Sequence, residues 1–568
     1  MAHWARDDPH RRTVSLLLLL SLAAALAGLT ALAPHPVAIL EAPPETLQAF
    51  AYAMPQQGWA PLRVYLSPFG SRDLAGTIVR YEWDLDGDGV FETDATAQQG
   101  YTDVLYSEHR VYMPALRVTN ELGQLAVASA RVEVRHPASS SVDYWTAFDD
   151  QRVRPVELRL TQADWDALQA APTSKARVPA EAVVFGERLS SVAASLKGNS
   201  SITVPGWKKP WKIDLDYFIA GQEYRNLKQL LFHNNFADAS MLREKLAYDM
   251  MAFAGVPAGH AAYVTLSLDI TDDEQPPFYL GVYTMVERVD AKFVDNRFGR
   301  DQGTGNLYKA DAWFEQGAAD LAYYGEDILK YPRPRGELAY HLQTNLEQPD
   351  YSRLIELTRV LDGTQYTSEA EFAAALEQVL NVDGFLRYLA VIFTNLNLDT
   401  YPYTGNNYYL YDDPSTGRFE FIAWDLNNSW GHFAGGFDFP LYGAPCCLGP
   451  LEWAPLFTKV LQVETYRRDY AAYVDLLTRH WFTAENVSRL TAQWQALIRP
   501  HLERDGGDRM YFGPDAQFTL DQFAADGQAL VDLTAARSRY LREVLVSGEW
   551  ESLVPEANDP PEGKPGLP

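Results

Sequence analysis

The feature that most constrains how this chain can fold is a helix followed by a β-hairpin whose outer ends are polar. Apolar residues at helical spacing predict a helix over 381–398, and the runs NYYLY and RFEFIAWD, joined by the turn DDPSTG, predict the hairpin. Asp399 follows the helix, and Asn407 and Asp425 stand at the outer ends of the hairpin. Because those ends meet in space, we expect the three side chains to lie together, with Asn427 nearby.

The predicted cluster has the chemistry of a divalent-metal site. Two carboxylates and an amide are oxygen ligands that suit Mg²⁺ or Mn²⁺. Their order along the chain is also that of a protein-kinase catalytic centre, in which the first Asp orients the acceptor hydroxyl and the Asn and second Asp hold metal on the phosphates. The HRD and DFG sequences of common kinases are absent. A hairpin with polar ends and capping residues is the alternative interpretation.

Basic residues precede this cluster in the chain. The run WKKPWKIDLD at 207–216 predicts a strand with Lys209 and Lys212 near its start, and a kinase fold places a lysine on an early strand against phosphate oxygens. A strong helical pattern at 238–255 carries Glu244, which we consider as an ion-pair partner for a lysine. Ordinary surface lysines and a solvated glutamate are the alternatives.

Several motifs in the same order resemble the CotH family of atypical kinases, which is named for a spore-coat protein. The resemblance covers roughly residues 150 to 548 and rests on LKGNSS, KKPWKIDLD, LLFHNNFADASMLREKLAYDMMAFAGVP, YLGVYTMVERVD, NLYKAD, NNYYLY and FEFIAWDLNNSWG. It implies an α+β, two-lobed, protein-kinase-like domain, which we assign to 145–548. It also implies binding of ATP with a divalent metal and phosphorylation of protein side chains.

The resemblance assigns roles to individual residues. Asp399 is the expected catalytic carboxylate. The expected metal ligands are Asp425, Asn407 and Asn427. The expected ATP-binding residues are Asn199, Lys209, Lys212, Arg243 and Glu287. Two positions depart from the family pattern, because Lys197 stands where an arginine is frequent and Asn427 where a second acid is frequent.

An all-β region is predicted ahead of this domain, over 47–137. Short alternating runs separated by turns have strand length and strand composition. The run YEWDLDGDG at 81–89 and the run RVYMPALRVTNELG resemble a PKD (polycystic kidney disease) domain. This resemblance implies an immunoglobulin-like sandwich, a type of module that serves as a spacer or contacts proteins and glycans on surface proteins.

The same run suggests a calcium loop. Asp84, Asp86 and Asp88 alternate and are followed by Gly89, as at the start of an oxygen-rich Ca²⁺ loop, but Ala95 stands where the closing glutamate would be. The alternative is a turn whose Asp and Gly residues meet backbone demands.

The N-terminal segment predicts export. Arginines precede an uncharged stretch of about twenty residues, so 1–33 is predicted as a signal peptide or a membrane anchor. Either interpretation places the rest outside the cytoplasm, as a secreted, surface or anchored protein. Residues 34–46 are predicted as a linker and 549–568 as a disordered tail.

Composition excludes some functions and leaves others open. With 48 Lys+Arg and 75 Asp+Glu, the formal charge of −27 argues against a nucleic-acid partner, although a local basic pocket remains compatible with it. The cysteines, Cys446 and Cys447, are adjacent, so they form either a vicinal disulfide or two thiols. His233 is interpreted as a hydrogen-bonded loop histidine rather than a metal ligand.

Two functions therefore remain after the sequence analysis. The first is an exported kinase that transfers the ATP γ-phosphate to Ser or Thr hydroxyls of envelope or secreted proteins. The second is a non-catalytic adhesion or structural protein that combines a kinase-like scaffold with a PKD binding module. The Asp399, Asn407 and Asp425 set favours the first, and the export segment and the PKD-like region favour the second.

Overall fold

The structure, a computed structural model of the 568-residue chain, describes residues 46–135, 144, 146–203, 206–299, 303–313, 317–443, 454–503, 509–511 and 517–552. The predicted export segment, most of the linker and tail, and both cysteines lie outside the described residues. No helix in the described part of the chain is long and apolar enough to span a membrane. The described residues from Leu47 onward belong to one compact unit.

The N-terminal region is all β, as predicted. Its strands are β1 (Leu47–Gln48), β2 (Tyr52–Met54), β3 (Gln57–Trp59), β4 (Leu62–Ser67), β5 (Arg72–Asp73), β6 (Ile78–Asp84), β7 (Thr93–Asp94), β8 (Thr102–Tyr106), β9 (Val111–Tyr112), β10 (Ala115–Asn120), β11 (Leu125–Ser129) and β12 (Val132–Arg135). They form small sheets in the orders β11-β10-β6-β7, β2-β4-β8, β3-β12-β9 and β1-β5. Alternation buries Leu116 and Val118 of β10 against Trp83, which is 0% exposed.

A closed barrel of seven strands begins the second region. The strands are β13 (Arg154–Leu160), β14 (Val178–Val184), β15 (Glu187–Leu196), β16 (Trp211–Asp214), β17 (Gln229–His233), β18 (Ala261–Ile270) and β19 (Phe278–Val286), in the order β13-β14-β15-β16-β17-β19-β18. Strands β13 and β18 pair in parallel, and Trp211 and Tyr283 fill the core. Lys197 follows the end of β15 directly.

The rest of the chain mixes helices with a four-stranded sheet. The remaining strands are β20 (Leu307–Ala310), β21 (Ala312–Trp313), β22 (Gly317–Ala318), β23 (Tyr340–Leu342), β24 (Tyr408–Asp413), β25 (Arg418–Ala423), β26 (Arg509–Tyr511) and β27 (Gln517–Thr519). The sheet order is β23-β20-β24-β25. The prediction that an all-β region precedes a region of mixed α and β content is confirmed.

The helices of the second region pack on the barrel, on that sheet and on one another. They are α1 (Gln162–Ala170), α2 (Arg243–Ala254), α3 (Ala291–Phe298), α4 (Ser352–Asp362), α5 (Glu369–Val379), α6 (Val382–Thr394), α7 (Tyr401–Thr404), α8 (Pro455–Val460), α9 (Glu464–His480), α10 (Ala484–Glu503) and α11 (Leu520–Ser547). Helix α6 is apolar on most sides and packs against α9 and β25, which explains its position in the core.

Two boundaries differ from the predictions. The helix predicted over 381–398 ends at Thr394, because Leu396 has a left-handed φ of 57° and the carbonyls of Asn395 and Leu396 accept hydrogen bonds from Trp430 and Gly431. The first residues of the predicted tail, Glu549–Glu551, form a 3-10 helix whose Trp550 is buried near Phe69.

Candidate active site

The hairpin of β24 and β25 brings the three central polar residues together. Tyr408 pairs with Ala423, so Asn407 and Trp424 stand opposite each other at the outer end, with Asp425 next. The side-chain Nδ2 of Asn407 donates a hydrogen bond to the backbone carbonyl of Asp399 at 2.8 Å. Burial raises the pKa of Asp399, and the negative charge of Asp425 nearby raises it further.

The amide that contacts the Asp399 carboxylate belongs to Asn428 rather than to Asn427. Its Nδ2 donates to Asp399 Oδ2 at 2.8 Å. Both asparagines lie in the 3-10 turn Leu426–Asn428, and Asn427 is half-buried there. The turn therefore presents one amide to the carboxylate, which fixes the orientation of Asp399.

The backbone at the hairpin end is unusual. Asn407 and Asp425 have φ values of 57° and 56°, in the left-handed region. Asn and Asp enter this region more readily than most residues, because their short polar side chains can hydrogen-bond locally. Two such residues at one end of a hairpin concentrate backbone strain there, and strain of this kind is typical of functional sites.

A histidine connects this end of the hairpin to the barrel and to helix α2. His233, the last residue of β17, has its Nδ1 2.8 Å from Glu244 Oε1 and its Nε2 2.5 Å from the Nζ of Lys197. An ammonium group only donates, so Nε2 accepts and Nδ1 carries the proton toward Glu244. His233, Glu244 and Asp425 also offer ligand atoms that all lie within 4.8 Å of one another.

Two lysines interact electrostatically with Asp425, namely Lys197, directly after β15, and Lys309, on β20. Burial lowers the pKa of Lys197 to about 8, while Asp425 and Glu244 oppose that change. Burial also lowers the pKa of Lys309, on β20, and Asp425 is the largest opposing influence. The guanidinium of Arg288 lowers the pKa of both lysines further. These side chains form one cluster of interacting charges of both signs, which we call the cleft.

Four of the predicted ATP-binding residues have described contacts away from Asp425. Lys209 is buried, and its Nζ donates to the carbonyl of Ile202 at 3.1 Å. Lys212 lies 4.0 Å from Asp214, and burial followed by Arg177 lowers the pKa of Lys212 to about 8. The other two are Arg243 and Glu287.

Arg243 and Glu287 are engaged in internal ion pairs. Arg243 Nη1 lies 2.5 Å from Asp238 and 2.6 Å from Asp526, so this guanidinium joins the start of α2 to α11. Glu287 accepts from Arg297 at 2.8 Å and is 1% exposed, and burial raises its pKa. Buried charges need partners, and these ion pairs supply them within the protein. A role of Arg243 and Glu287 in ATP binding stays a prediction.

Asn199 lies in the loop that follows β15. It is exposed, and its Oδ1 accepts from Lys175 Nζ at 3.1 Å.

In the turn after β6, Asp84 accepts hydrogen bonds from the backbone amides of Gly87 and Gly89 at 2.7 and 2.8 Å, which satisfies the turn. Calcium at Asp84, Asp86 and Asp88 remains a prediction.

Three residues of the cleft were missed as site residues. Lys197 was noted only as a departure from a family pattern, His233 was assigned to a loop, and Lys309 was only part of the quoted NLYKAD. For the two lysines, the sequence offered one indication. Each stands inside or directly after an apolar strand, a position where a lysine is pulled toward the core. The contacts among these residues join segments distant in sequence.

Comparisons with known proteins agree with the second region. The family described as CotH kinase protein matches residues 194–541. Inner spore coat protein H of Bacillus subtilis (strain 168) is 22% identical over 331 residues, which cover 58% of this chain and 81% of that protein.

Two solved structures were also compared with the chain. The PKD1 domain of the Vibrio cholerae metalloprotease PrtV is 22% identical, with 16% of this chain and 96% of that chain covered and a TM-score of 0.13. A structure of carbohydrate-binding modules from the β-sandwich superfamily is 16% identical, with 30% and 55% covered and a TM-score of 0.15. The PKD-like character of the N-terminal region stays a prediction.

Proposed function

This chain belongs to the CotH kinase protein family, and on that premise we propose that it is an exported protein kinase. It would transfer the γ-phosphate of ATP to Ser or Thr hydroxyls of envelope or secreted proteins. The observation that carries the proposal is one cleft in which Asp399 and Asp425 meet two partly buried lysines, Lys197 and Lys309.

The residues of the cleft fit a metal–nucleotide complex. Asp425, Glu244 and the Asn407 amide offer oxygen ligands of the kind Mg²⁺ and Mn²⁺ prefer. A divalent metal held there would neutralise charge on the phosphate oxygens. Lys197 and Lys309 would bind those oxygens. The negative charge of a polyphosphate would compensate the cost of burying their two ammonium groups.

The proposed reaction is an in-line displacement at phosphorus. The acceptor oxygen forms a bond to the γ-phosphorus, the bond to the β,γ-bridging oxygen breaks, and ADP leaves with that electron pair. The hydroxyl proton passes to Asp399. The raised pKa of Asp399 favours that transfer, and the hydrogen bond from Asn428 orients the carboxylate toward the acceptor.

Titration of the full chain with ATP and Mg²⁺ or Mn²⁺ in a calorimeter tests the nucleotide site. We expect metal-dependent binding to the wild type and its loss in Asp425→Asn, which keeps side-chain size and tolerates the left-handed backbone. Asp438→Asn, which removes an exposed carboxylate, is the matched control and should bind normally. A folded wild type without metal-dependent ATP binding would exclude the kinase and favour the adhesion function.

A second variant separates binding from transfer. Asp399→Asn is expected to bind ATP like the wild type and to phosphorylate a Ser/Thr peptide library at least ~100-fold more slowly, because its proton acceptor is gone. Phosphate incorporation measured by mass spectrometry is the readout. Equal rates in wild type and Asp399→Asn would remove Asp399 from the catalytic role.

A further inference from the structure

Strand β11 forms one edge of the four-stranded sheet in the N-terminal region. In the order β11-β10-β6-β7 it pairs with β10 on one side only. The backbone amide of Ala130 donates to the carbonyl of Pro114 at 2.9 Å, so the backbone groups of even-numbered residues face β10 and those of odd-numbered residues face away. The outward groups are those of Leu125, Val127 and Ser129. Within the described part of the chain, no strand pairs with them.

This edge lacks the features that usually prevent an edge strand from pairing with another chain. Such features are a charged side chain, a proline or a bulge. The run LGQLAVASA at 122–130 contains neither a charged residue nor a proline, and the register of β11 with β10 is unbroken. The edge strand β8 differs, because it carries Asp103, which forms an ion pair with Arg63. Strand β11 is therefore open to a further strand.

The outer face of β11 is apolar, whereas the neighbouring part of the sheet is charged. Leu125 and Val127 are 61% and 58% exposed. Val127 lies opposite Arg117, whose guanidinium forms an ion pair with Glu82 at 3.0 Å. The opposite face of β11 carries the small side chains of Ala126 and Ala128. A strand laid along this edge would cover the exposed apolar side chains and would meet no bulky group on the opposite face of β11.

The sequence around β11 is complementary to itself in the antiparallel direction. With Ala126 of one copy opposite Ala126 of another, Leu125 lies opposite Val127, and both have outward backbone groups. Each such pair exchanges two hydrogen bonds, and the exposed leucines and valines of both copies come together on the outer face. Glu121 and Arg131 are exposed and lie equally far from Ala126 in the sequence, so opposite charges meet at each end of the pair.

The charge of the N-terminal region also permits contact between two copies. The formal charge of the whole chain is −27, which makes copies repel each other. Residues 46–135 contain 7 basic and 11 acidic residues, so this region carries only a small part of that charge. Repulsion between copies is therefore weaker where this region forms the contact.

We propose that β11 is an interaction surface for a second copy of this chain, and that the two strands pair antiparallel about Ala126. The interface is isologous, because the same residues contribute to it from both copies. Since the contact is small, the dimer forms at protein concentrations of about 10–100 µM. The inference is independent of the proposed function, because β11 contributes no residue to the cleft.

Sedimentation velocity of the full chain, from about 1 to 100 µM, tests the dimer. Val127→Pro removes an outward amide and leaves the amides that donate to β10, and an edge strand tolerates proline at such a position. We expect this variant to keep the wild-type unfolding midpoint. Its dimer should be at least about tenfold weaker, because two hydrogen bonds between the copies are lost.

Val127→Lys tests the same edge without a change in backbone, because it places two like charges close together in the dimer. We expect a similar loss of dimer. Leu105→Lys makes the same change at an exposed site of β8 and should dimerise like the wild type.

Two outcomes would overturn the proposal. One is a wild type that stays monomeric up to about 100 µM, as it would if another part of the chain covered β11. The other is association that neither Val127 variant weakens, which would assign the contact to a different surface. ATP binding should be the same in the wild type and in all three variants, so a failure of the dimer leaves the nucleotide site standing.

Discussion

The charged residues of the cleft are held partly out of water, and this alters their ionisation. Burial lowers the pKa of Lys197 and Lys212 to about 8 and raises the pKa of Asp399. Each shift favours the neutral form, because desolvation penalises the charged one. An anionic ligand would reverse the lysine shifts, so binding of phosphate or carboxylate groups is linked to proton uptake by the protein.

This linkage predicts that ATP affinity falls as the pH rises from 7 to 9. Lys197 loses its proton near pH 8 in the free protein, where burial lowers its pKa and Asp425 and Glu244 oppose the shift. Lys197→Arg should make the dependence shallower, because a guanidinium stays charged throughout this range. Calorimetric titrations with ATP and Mg²⁺ at pH 7, 8 and 9 measure the slope.

The control for this prediction is Lys330→Arg, which changes an exposed lysine. Its slope should equal that of the wild type. Equal slopes in the wild type and in Lys197→Arg would show that Lys197 does not contribute its charge to ATP binding.

At the scale of secondary structure, the site depends on one hairpin and on the strand that joins it. The juxtaposition of Asp399, Asn407 and Asp425 was predictable, because alternation and a short turn determine which ends of a hairpin meet. The position of Lys309 was not, because it depends on β20 pairing with β24. That pairing joins segments about 100 residues apart, and neither strand has a sequence pattern that selects the other.

The junction of β20 and β24 gives a prediction about stability. A Cβ at Gly305 would lie 1.8 Å from the carbonyl oxygen of Asp412 and 2.8 Å from Pro414 Cδ. Gly305→Ala must therefore displace backbone, and we expect it to lower the free energy of unfolding by about 2 kcal/mol or more. ATP affinity should fall as well, because the displaced strand carries Lys309.

Gly417→Ala is the matched control on the same sheet. Gly417 has a φ of 69° and no atom within 4 Å of the added Cβ, so only backbone strain of about 1 kcal/mol is expected. Thermal unfolding followed by calorimetry compares the two. A fall in midpoint no larger for Gly305→Ala than for Gly417→Ala would contradict the steric account.

At the scale of the whole molecule, the N-terminal β region is packed on the helical part rather than held away from it as a spacer. Tyr52 donates to Asp469 and Tyr101 donates to Asp475, each at 2.8 Å, and both aspartates belong to α9. The ring of Tyr65 stacks on His480 with centroids 4.2 Å apart. The partners are separated by about 400 residues, so strand patterns gave no indication of this interface.

The same interface makes stability sensitive to acid through His480. Burial, followed by Arg479, lowers the pKa of His480 to about 4, whereas Asp103 opposes the shift. An unfolded histidine has a pKa of about 6.5, so between pH 6.5 and 4 the unfolded state binds a proton that the folded state does not. The His480 contribution to stability is therefore present above pH 6.5 and is lost as the pH falls toward 4.

We expect the unfolding midpoint to fall less between pH 7 and pH 5 in His480→Phe than in the wild type, because phenylalanine keeps a ring against Tyr65 and takes up no proton. Carboxylates that titrate in this range contribute equally to both proteins, so the difference between the two slopes reports His480. His109→Phe removes an exposed histidine and should keep the wild-type slope. If His480→Phe also keeps that slope, the pKa of His480 is the same in the folded and unfolded states, and acid does not act through this interface.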